Sequence, residues 1–232
     1  AIVFEGARND LPSNDFIRVI KEFKKTNKFL TISDEITSGF RFCYGGAYNL
    51  VNSNPDIAVY GKGLGNGYAI SAIVGKYQVM DKAQDSFISS SFWTESVGFA
   101  AGIATLKKIK KNKTWKHLDL MGNYLKEKIN ETAQSKGILL TTSNLNPIIS
   151  IKFNYKKLND SVITYVTNEM LKRNFLFSNV IFLSAAHNTK VIDLFINNLK
   201  DVFNELNIQL NKKSLNETIK NMPRSDAFIR LT

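Results

Sequence analysis

Short apolar runs alternate with polar and glycine-rich stretches in the first part of the chain, as in an α/β fold. Each run has four or five residues, which suits a buried strand better than a helix. We predict strands at residues 1–4, 29–32, 57–60 and 70–74. After Pro12 the apolar spacing becomes that of an amphipathic helix, with Ser13 or Asn14 as its cap. This order predicts a mainly parallel sheet covered by helices.

The character of the chain changes near Asn112, where a lysine-rich helix predicted over residues 96–111 ends. Beyond this point the apolar spacing predicts three further helices and three further strands. The helices are expected at residues 114–135, 160–173 and 189–206, and the strands at 138–141, 147–153 and 180–183. We therefore predict two domains, residues 1–112 and a smaller α/β domain over residues 113–232.

Composition excludes several classes of protein. The 232 residues are 44% apolar and include 16 Phe and 8 Tyr, which is too much apolar surface for a disordered chain. No segment reaches the roughly 18–20 uncharged apolar residues of a membrane-spanning helix. The single cysteine, Cys43, excludes an internal disulfide and favours the reducing cytoplasm. One cysteine with two histidines is also too few for a Cys/His zinc site, so we expect no metal.

The chain is basic, with a formal net charge of +11. A lysine-rich segment from Lys107 to Lys116 resembles a nucleic-acid patch only in charge, because neither an aromatic platform nor a binding motif accompanies it. We interpret it as a solvated helix end, where lysines complement the helix dipole. We therefore expect no nucleic-acid partner, and the charge instead favours anionic small molecules.

Ionisable residues follow three consecutive predicted strands: Glu5, the pair Asp34-Glu35, and Lys62. Because the carboxyl ends of parallel strands meet at one edge of a sheet, we expect these side chains to lie close together. A lysine in an apolar crevice becomes a nucleophilic amine, and a carboxylate there needs a cationic partner. Taken singly, such residues are more often turn or loop residues. Together they indicate pyridoxal phosphate (PLP) chemistry, with Lys62 as the Schiff-base lysine and Asp34 beside the pyridinium nitrogen.

Two segments around these residues resemble a known family. Residues 33–41, Ser-Asp-Glu-Ile-Thr-Ser-Gly-Phe-Arg, resemble a box of the class III PLP-dependent aminotransferases, and residues 55–67 resemble that family's lysine box. The similarity is to the branch of glutamate-1-semialdehyde aminomutase. It implies a fold-type I PLP enzyme, with residues 1–112 as the C-terminal part of the PLP-binding large domain and the remainder as the small domain. It also implies transfer of an amino group between an amino donor and a carbonyl substrate.

The resemblance also implies roles for individual residues. Lys62 would hold the cofactor as an internal aldimine and later move the substrate α-proton, while Asp34 would keep the pyridine nitrogen protonated. Ile36 would pack against the cofactor ring. Ser91 falls where the family places a threonine hydroxyl on the cofactor phosphate, with Thr94 as the alternative. In the family this hydroxyl comes from the neighbouring subunit, which implies a homodimer with shared active sites.

Some positions depart from the family pattern. Thr37 stands where many members have a glutamine near the phenolic oxygen of the cofactor. Glu5 matches the acid of the family's Glu-Pro-Val strand end, but Gly6 replaces the proline, so Glu5 is expected either to line the site or to bond a backbone turn. The family's phosphate loop lies N-terminal to anything in this sequence. We therefore expect the chain to be the back part of a longer one and to bind the cofactor poorly by itself.

Two alternatives stay open at this point. The same lysine and aspartate would serve an intramolecular amino shift, as in glutamate-1-semialdehyde 2,1-aminomutase. The chain could also be a truncated subunit that binds a partner without catalysis. The missing phosphate loop favours that reading, whereas the intact Asp34 and Lys62 oppose it.

Overall fold

The computed structural model describes residues 1–89, 91–92 and 95–219. The chain divides into two compact units, Ala1–Asp119 and Leu120–Thr232. The predicted division between residues 112 and 113 stays a prediction. A helix does end at Asn112, and Lys113 after it adopts the left-handed conformation, with φ at 48°.

The first unit contains a four-stranded sheet, in the spatial order β1 (Ile2–Glu5), β2 (Thr31–Asp34), β3 (Ile57–Tyr60) and β4 (Ala72–Gly75). Its described α-helices are α1 (Asn14–Thr26), α2 (Tyr77–Met80), α3 (Val97–Asn112) and the first turns of α4 (Thr114–Ser135). Ser13 caps α1 by accepting a hydrogen bond from the backbone N–H of Phe16 at 3.1 Å. The strands β1, β2 and β3 run parallel, as predicted.

The fourth strand corrects the expected alternation of strands and helices. β4 runs antiparallel to β3, with Ala72 opposite Tyr60. The connections on either side of β3, rich in glycine, contain short 3-10 turns, at Ala47–Asn49 and Lys62–Leu64. A parallel crossover needs a dozen or more residues, and the connection between β3 and β4 is shorter than that. The chain therefore reverses direction.

One face of this sheet carries the core of the first unit. Its buried members alternate along β2 and β3: Thr31, Ser33, Ala58 and Tyr60. Side chains from the loop after β2, the turn after β3 and α3 pack against them, among them Phe40, Tyr48, Leu64 and Leu106. The opposite face carries half-buried Asp34, together with Val3 and Ile73, which are largely exposed. Within the described part of the chain, the face of Ala58 and Tyr60 is therefore covered, whereas the face of Asp34 is largely open.

A buried carboxylate fixes the other end of the sheet, where β2 and β3 begin and β4 ends. Asp56 accepts hydrogen bonds from the backbone N–H of Thr31 at 2.8 Å, from the ammonium of Lys76 at 2.9 Å and from that of Lys24. Burial alone would raise the pKa of Asp56, but these bonds outweigh it and hold the pKa well below its usual range. The carboxylate therefore connects α1 to the strands.

The second unit contains an antiparallel sheet in the order β5 (Leu140–Thr142), β6 (Ile148–Phe153) and β7 (Val180–Phe182). Its other described helices are α5 (Asn159–Lys172), α6 (Thr189–Lys212) and α7 (Leu215–Thr218). In the core, the rings of Phe153 and Phe203 meet edge to face at 6.3 Å. The helices and strands predicted for this part are confirmed. α6 extends to Lys212 rather than ending at residue 206.

Candidate active site

The carboxyl ends of β1, β2 and β3 lie side by side, as the sequence predicts. Glu5 is the ladder neighbour of Asp34, and Lys62 follows the last residue of β3 by two positions. The side chain of Ile36 lies beside Gly61, where an added Cβ would meet it at 3.5 Å. The loop after β2 and the turn after β3 are therefore in contact at this edge of the sheet.

Asp34 closes β2 with its carboxylate fixed by the backbone. Its Oδ1 accepts a hydrogen bond from the N–H of Ile36 at 2.9 Å, and the side chain is half-buried. An aspartate that bonds the amide two residues ahead forms an Asx turn, which is common where a strand ends. This contact holds the carboxylate at the sheet edge, beside the position from which Lys62 emerges.

Lys62 lies on a strained turn. Its φ is +41°, in the left-handed region that residues with a side chain seldom adopt, and it begins the 3-10 turn that ends at Leu64. Its Nζ donates a hydrogen bond to Oγ1 of Thr37 at 2.8 Å. The left-handed conformation occurs at eight other described non-glycine residues, so here it sets the direction of the Lys62 side chain rather than marking a site by itself.

The surroundings of Lys62 correct one expectation. An apolar crevice was predicted, but the lysine is exposed and bonded to a hydroxyl. The described residues therefore leave the side chain of Lys62 open to solvent. The backbone conformation of Lys62 and its hydrogen bond to Thr37 set the position of the amine.

Glu35 is a residue whose importance the sequence reasoning missed. Its carboxylate is fully buried and accepts hydrogen bonds from the hydroxyls of Ser33 (2.9 Å) and Ser38 (2.5 Å). It also accepts bonds from the backbone N–H groups of Ala47 (2.8 Å) and Tyr48 (3.0 Å). The period of two along a strand would have placed Glu35 on the face opposite Asp34. Glu35 therefore shapes the loop that follows β2, while Asp34 faces the other side.

Two further groups near the loop do not supply a nucleophile. Burial, with the neighbouring phenol of Tyr48, raises the pKa of Tyr60 far above its usual range. Burial and the negative charge of Glu35 raise the pKa of the Cys43 thiol. Both groups therefore stay protonated near neutral pH and are weak nucleophiles.

Three other predicted site residues are placed less directly. The carboxylate of Glu5 forms an ion pair with Arg8 at 2.8 Å, so it bonds a side chain rather than a backbone turn. Ser91 is exposed on a turn. Thr94 lies outside the described residues. Contact of these three with a cofactor stays a prediction.

The described residues contain no cluster of three or more His, Cys, Asp or Glu side chains that could hold a metal ion. In the same part of the chain, no helix combines the length and the apolar character that crossing a bilayer requires.

Comparison with known proteins assigns this arrangement to a family. A sequence model described as Aminotransferase class-III matches residues 6–172, a range that includes Asp34 and Lys62. The chain belongs to the class III aminotransferase family. The resemblance stated from the two sequence boxes is thereby confirmed.

Curated members of the family are similar over part of their length. The 3-aminobutyryl-CoA aminotransferase of Cloacimonas acidaminovorans is 31% identical over 68% of this chain and 40% of its own length. The glutamate-1-semialdehyde 2,1-aminomutase of Methanocaldococcus jannaschii is 29% identical over 84% of this chain and 50% of its own length. The chain thus spans about half the length of the class III relatives it matches.

Solved structures confirm the fold-type I prediction. The FumI protein of Sphingopyxis sp. MTA144, in its PLP internal aldimine form, superimposes with a TM-score of 0.82 at 24% identity over 95% of this chain and 53% of that protein. An omega-transaminase from Sphaerobacter thermophilus gives a TM-score of 0.75 at 17% identity over 83% of this chain and 48% of its own. At these identities the likeness establishes the fold of this class III chain.

Proposed function

We propose that this chain belongs to a PLP-dependent aminotransferase that moves an amino group between an amino donor and a carbonyl substrate. The observation that carries the proposal is an amine and a carboxylate at the ends of adjacent parallel strands, in a chain of the class III family. Lys62 would bind the cofactor covalently, and Asp34 would pair with its pyridine nitrogen.

The residues at this edge fit the chemical needs of pyridoxal phosphate. An aldehyde requires a primary amine, and the Nζ of Lys62 is exposed. A pyridinium nitrogen requires a carboxylate, and that of Asp34 is held by the Ile36 amide. When bound, pyridoxal phosphate supplies an electron sink for the negative charge that develops at the substrate α-carbon.

Each candidate site residue would have its own part in the reaction. The Nζ of Lys62, once free, would carry the proton to and from the substrate α-carbon as a general base. Asp34 would stabilise positive charge at the ring nitrogen. Ile36 would pack against the ring, and Glu5 would border the site beside Asp34. Ser91, or its alternative Thr94, would donate to the phosphate.

An intramolecular aminomutase reaction is a second candidate. The aminomutase of M. jannaschii aligns with 84% of this chain, against 68% for the CoA-linked aminotransferase. Both reactions would use the same lysine and aspartate. A half-reaction with glutamate separates them, because a transferase releases a free keto acid and an aminomutase keeps the amino group within one molecule. A non-catalytic subunit would do neither.

We further propose a cytoplasmic homodimer whose subunits share their active sites. Exposed apolar residues on both sides of Ser91 in the sequence support a contact with a second copy, because exposed apolar surface commonly marks a protein interface. They are Phe87 (96% exposed), Phe92 (78%), Phe99 (57%) and Ile103 (55%). A single, half-buried cysteine suits a reducing compartment.

Substitution of Lys62 tests the enzymatic proposal. In the full-length protein we expect Lys62→Ala to abolish the visible absorbance of lysine-bound cofactor, because the variant lacks the amine that forms the bond. The spectrum is recorded after incubation with pyridoxal phosphate and removal of the unbound excess. Lys107→Ala, at an exposed position of α3, is the matched control and should keep the band. A band of wild-type intensity in Lys62→Ala would remove this lysine from its role.

A further inference from the structure

We propose that Thr37 is a positioning residue, whose hydroxyl holds the amine of Lys62 in the orientation from which it reacts. The inference rests on the proposed function of Lys62. The observation behind it is the 2.8 Å hydrogen bond from Nζ of Lys62 to Oγ1 of Thr37, which joins two loops that are 25 residues apart.

Thr37 is presented from a rigid turn. Its carbonyl oxygen accepts a hydrogen bond from Nε of Arg41 at 2.9 Å, and the turn is closed by the bond from the Gly39 amide to the Glu35 carbonyl at 2.8 Å. The carboxylate of Glu35 anchors the same turn from the buried side with four accepted hydrogen bonds. These bonds hold the backbone from which the Thr37 hydroxyl projects.

Lys62 needs such a partner because its side chain is exposed. A lysine has a flexible four-carbon stem, and in water its ammonium samples many positions. The left-handed backbone of Lys62, with φ at +41°, sets the direction in which the stem leaves the turn. The Thr37 hydroxyl then fixes the far end, so that the amine is held at both ends of its side chain.

The two turns are also packed against each other. A Cβ added at Gly63 would meet the carbonyl oxygen of Gly39 at 3.7 Å, an ordinary van der Waals separation. A Cβ at Gly39 would lie 2.7 Å from the ring of Tyr60 and from the Glu35 carbonyl. These contacts keep the turn of Thr37 against β3 and next to the turn of Lys62. A displacement of a reacting group by about 1 Å can lower the reaction rate strongly.

Three variants of the holoenzyme test this role. Thr37→Val keeps the shape and removes the hydroxyl, Thr37→Ser keeps the hydroxyl, and Thr26→Val makes the same change at an exposed position near the end of α1. The first readout is the rate at which apoprotein takes up pyridoxal phosphate, followed by absorbance. The second is the single-turnover rate with an amino donor. We expect both to fall about tenfold in Thr37→Val and to stay within about twofold of wild type in the other two.

Each outcome decides the question. Wild-type rates in Thr37→Val, or equal losses in Thr37→Val and Thr37→Ser, overturn the proposal, because the hydroxyl would then not be what matters. Denaturant unfolding is measured in parallel, and Thr37→Ala replaces the valine variant if valine prevents folding. A failure here leaves the Lys62→Ala absorbance loss unchanged, so it is distinguishable from a failure of the proposed function.

Discussion

The carboxylate of Glu35 accepts four hydrogen bonds, from residues up to 13 positions away in the sequence. All four donors are neutral, two hydroxyls and two backbone amides, and the group is fully buried. A buried charge is tolerated only when such bonds replace its water. Glu35 therefore fixes the loop from Asp34 to Tyr48, and the candidate site residues Asp34, Ile36 and Thr37 are its close neighbours in the sequence.

Gly6 gives a way to test this anchor. A Cβ at position 6 would lie 2.1 Å from Oε1 of Glu35, so the glycine is required by space. We expect Gly6→Ala to displace the carboxylate and lower the free energy of unfolding by about 2 kcal/mol. Urea denaturation measures the change. Gly102→Ala, in the middle of α3 with its nearest neighbour at 3.6 Å, is the control and should be neutral or slightly stabilising. Equal effects of the two substitutions would contradict the anchor role.

At the scale of elements, the sequence predicts well what depends on local pattern. The cap at Ser13, the strands β1 to β3 and the helices from α3 to α6 follow from spacing and cap chemistry. The period of two did not give the antiparallel direction of β4, because it is the same for both directions; the short connection after β3 is the signal that decides it. The exposure of Lys62 also escaped prediction, since it depends on which segments cover the sheet edge.

The structural role of Glu35 could not be predicted from the local sequence pattern. Its donors Ala47 and Tyr48 lie in a loop whose path is set by tertiary contacts, and no spacing rule identifies them. Asp34, by contrast, was found because the end of a parallel strand is where ligands bind. A residue at the end of a parallel strand was thus easier to single out from the sequence than the residue that fixes the loop behind it.

Asp56 joins α1 to the sheet, and its ionisation predicts how stability depends on pH. Its pKa is lower in the folded chain than in the unfolded chain, so its contribution is present above about pH 4 and is lost as the pH falls below that value. We expect Asp56→Asn to lower the free energy of unfolding at neutral pH by about 2–3 kcal/mol. The difference between wild type and variant should shrink as the solution is acidified.

The measurement is urea denaturation of both proteins at a series of pH values. Asp85→Asn is the matched control, because Asp85 pairs with Lys82 across 3.5 Å and is largely exposed. Such a surface pair contributes less than about 1 kcal/mol, so its removal should leave the pH dependence unchanged. A constant difference between wild type and Asp56→Asn down to about pH 2 would show that the Asp56 charge is not what stabilises this end of the sheet.

At the scale of the whole molecule, the candidate site residues within the described chain all lie in the first unit, while the family match continues to residue 172 in the second. Family membership is therefore a property of both units, whereas the chemistry proposed here is concentrated in one. The relatives are about twice as long as the chain, and one face of the first sheet has few described neighbours. Activity is accordingly best tested in the full-length protein.

The proposed homodimer can be tested by its mass in solution and by a substitution that should weaken the contact between subunits. Phe99 lies on α3, more than half exposed, so a charge there should leave the fold of the subunit intact. If a second copy covers this surface, Phe99→Asp buries an unpaired charge in the interface and should weaken the dimer by at least about tenfold. Sedimentation velocity over a range of protein concentrations measures the dissociation constant. Val19→Asp, which places the same charge at an exposed apolar position of α1, should leave the constant unchanged. A wild-type protein that sediments as a monomer at micromolar concentration would exclude the homodimer, and with it the shared active site.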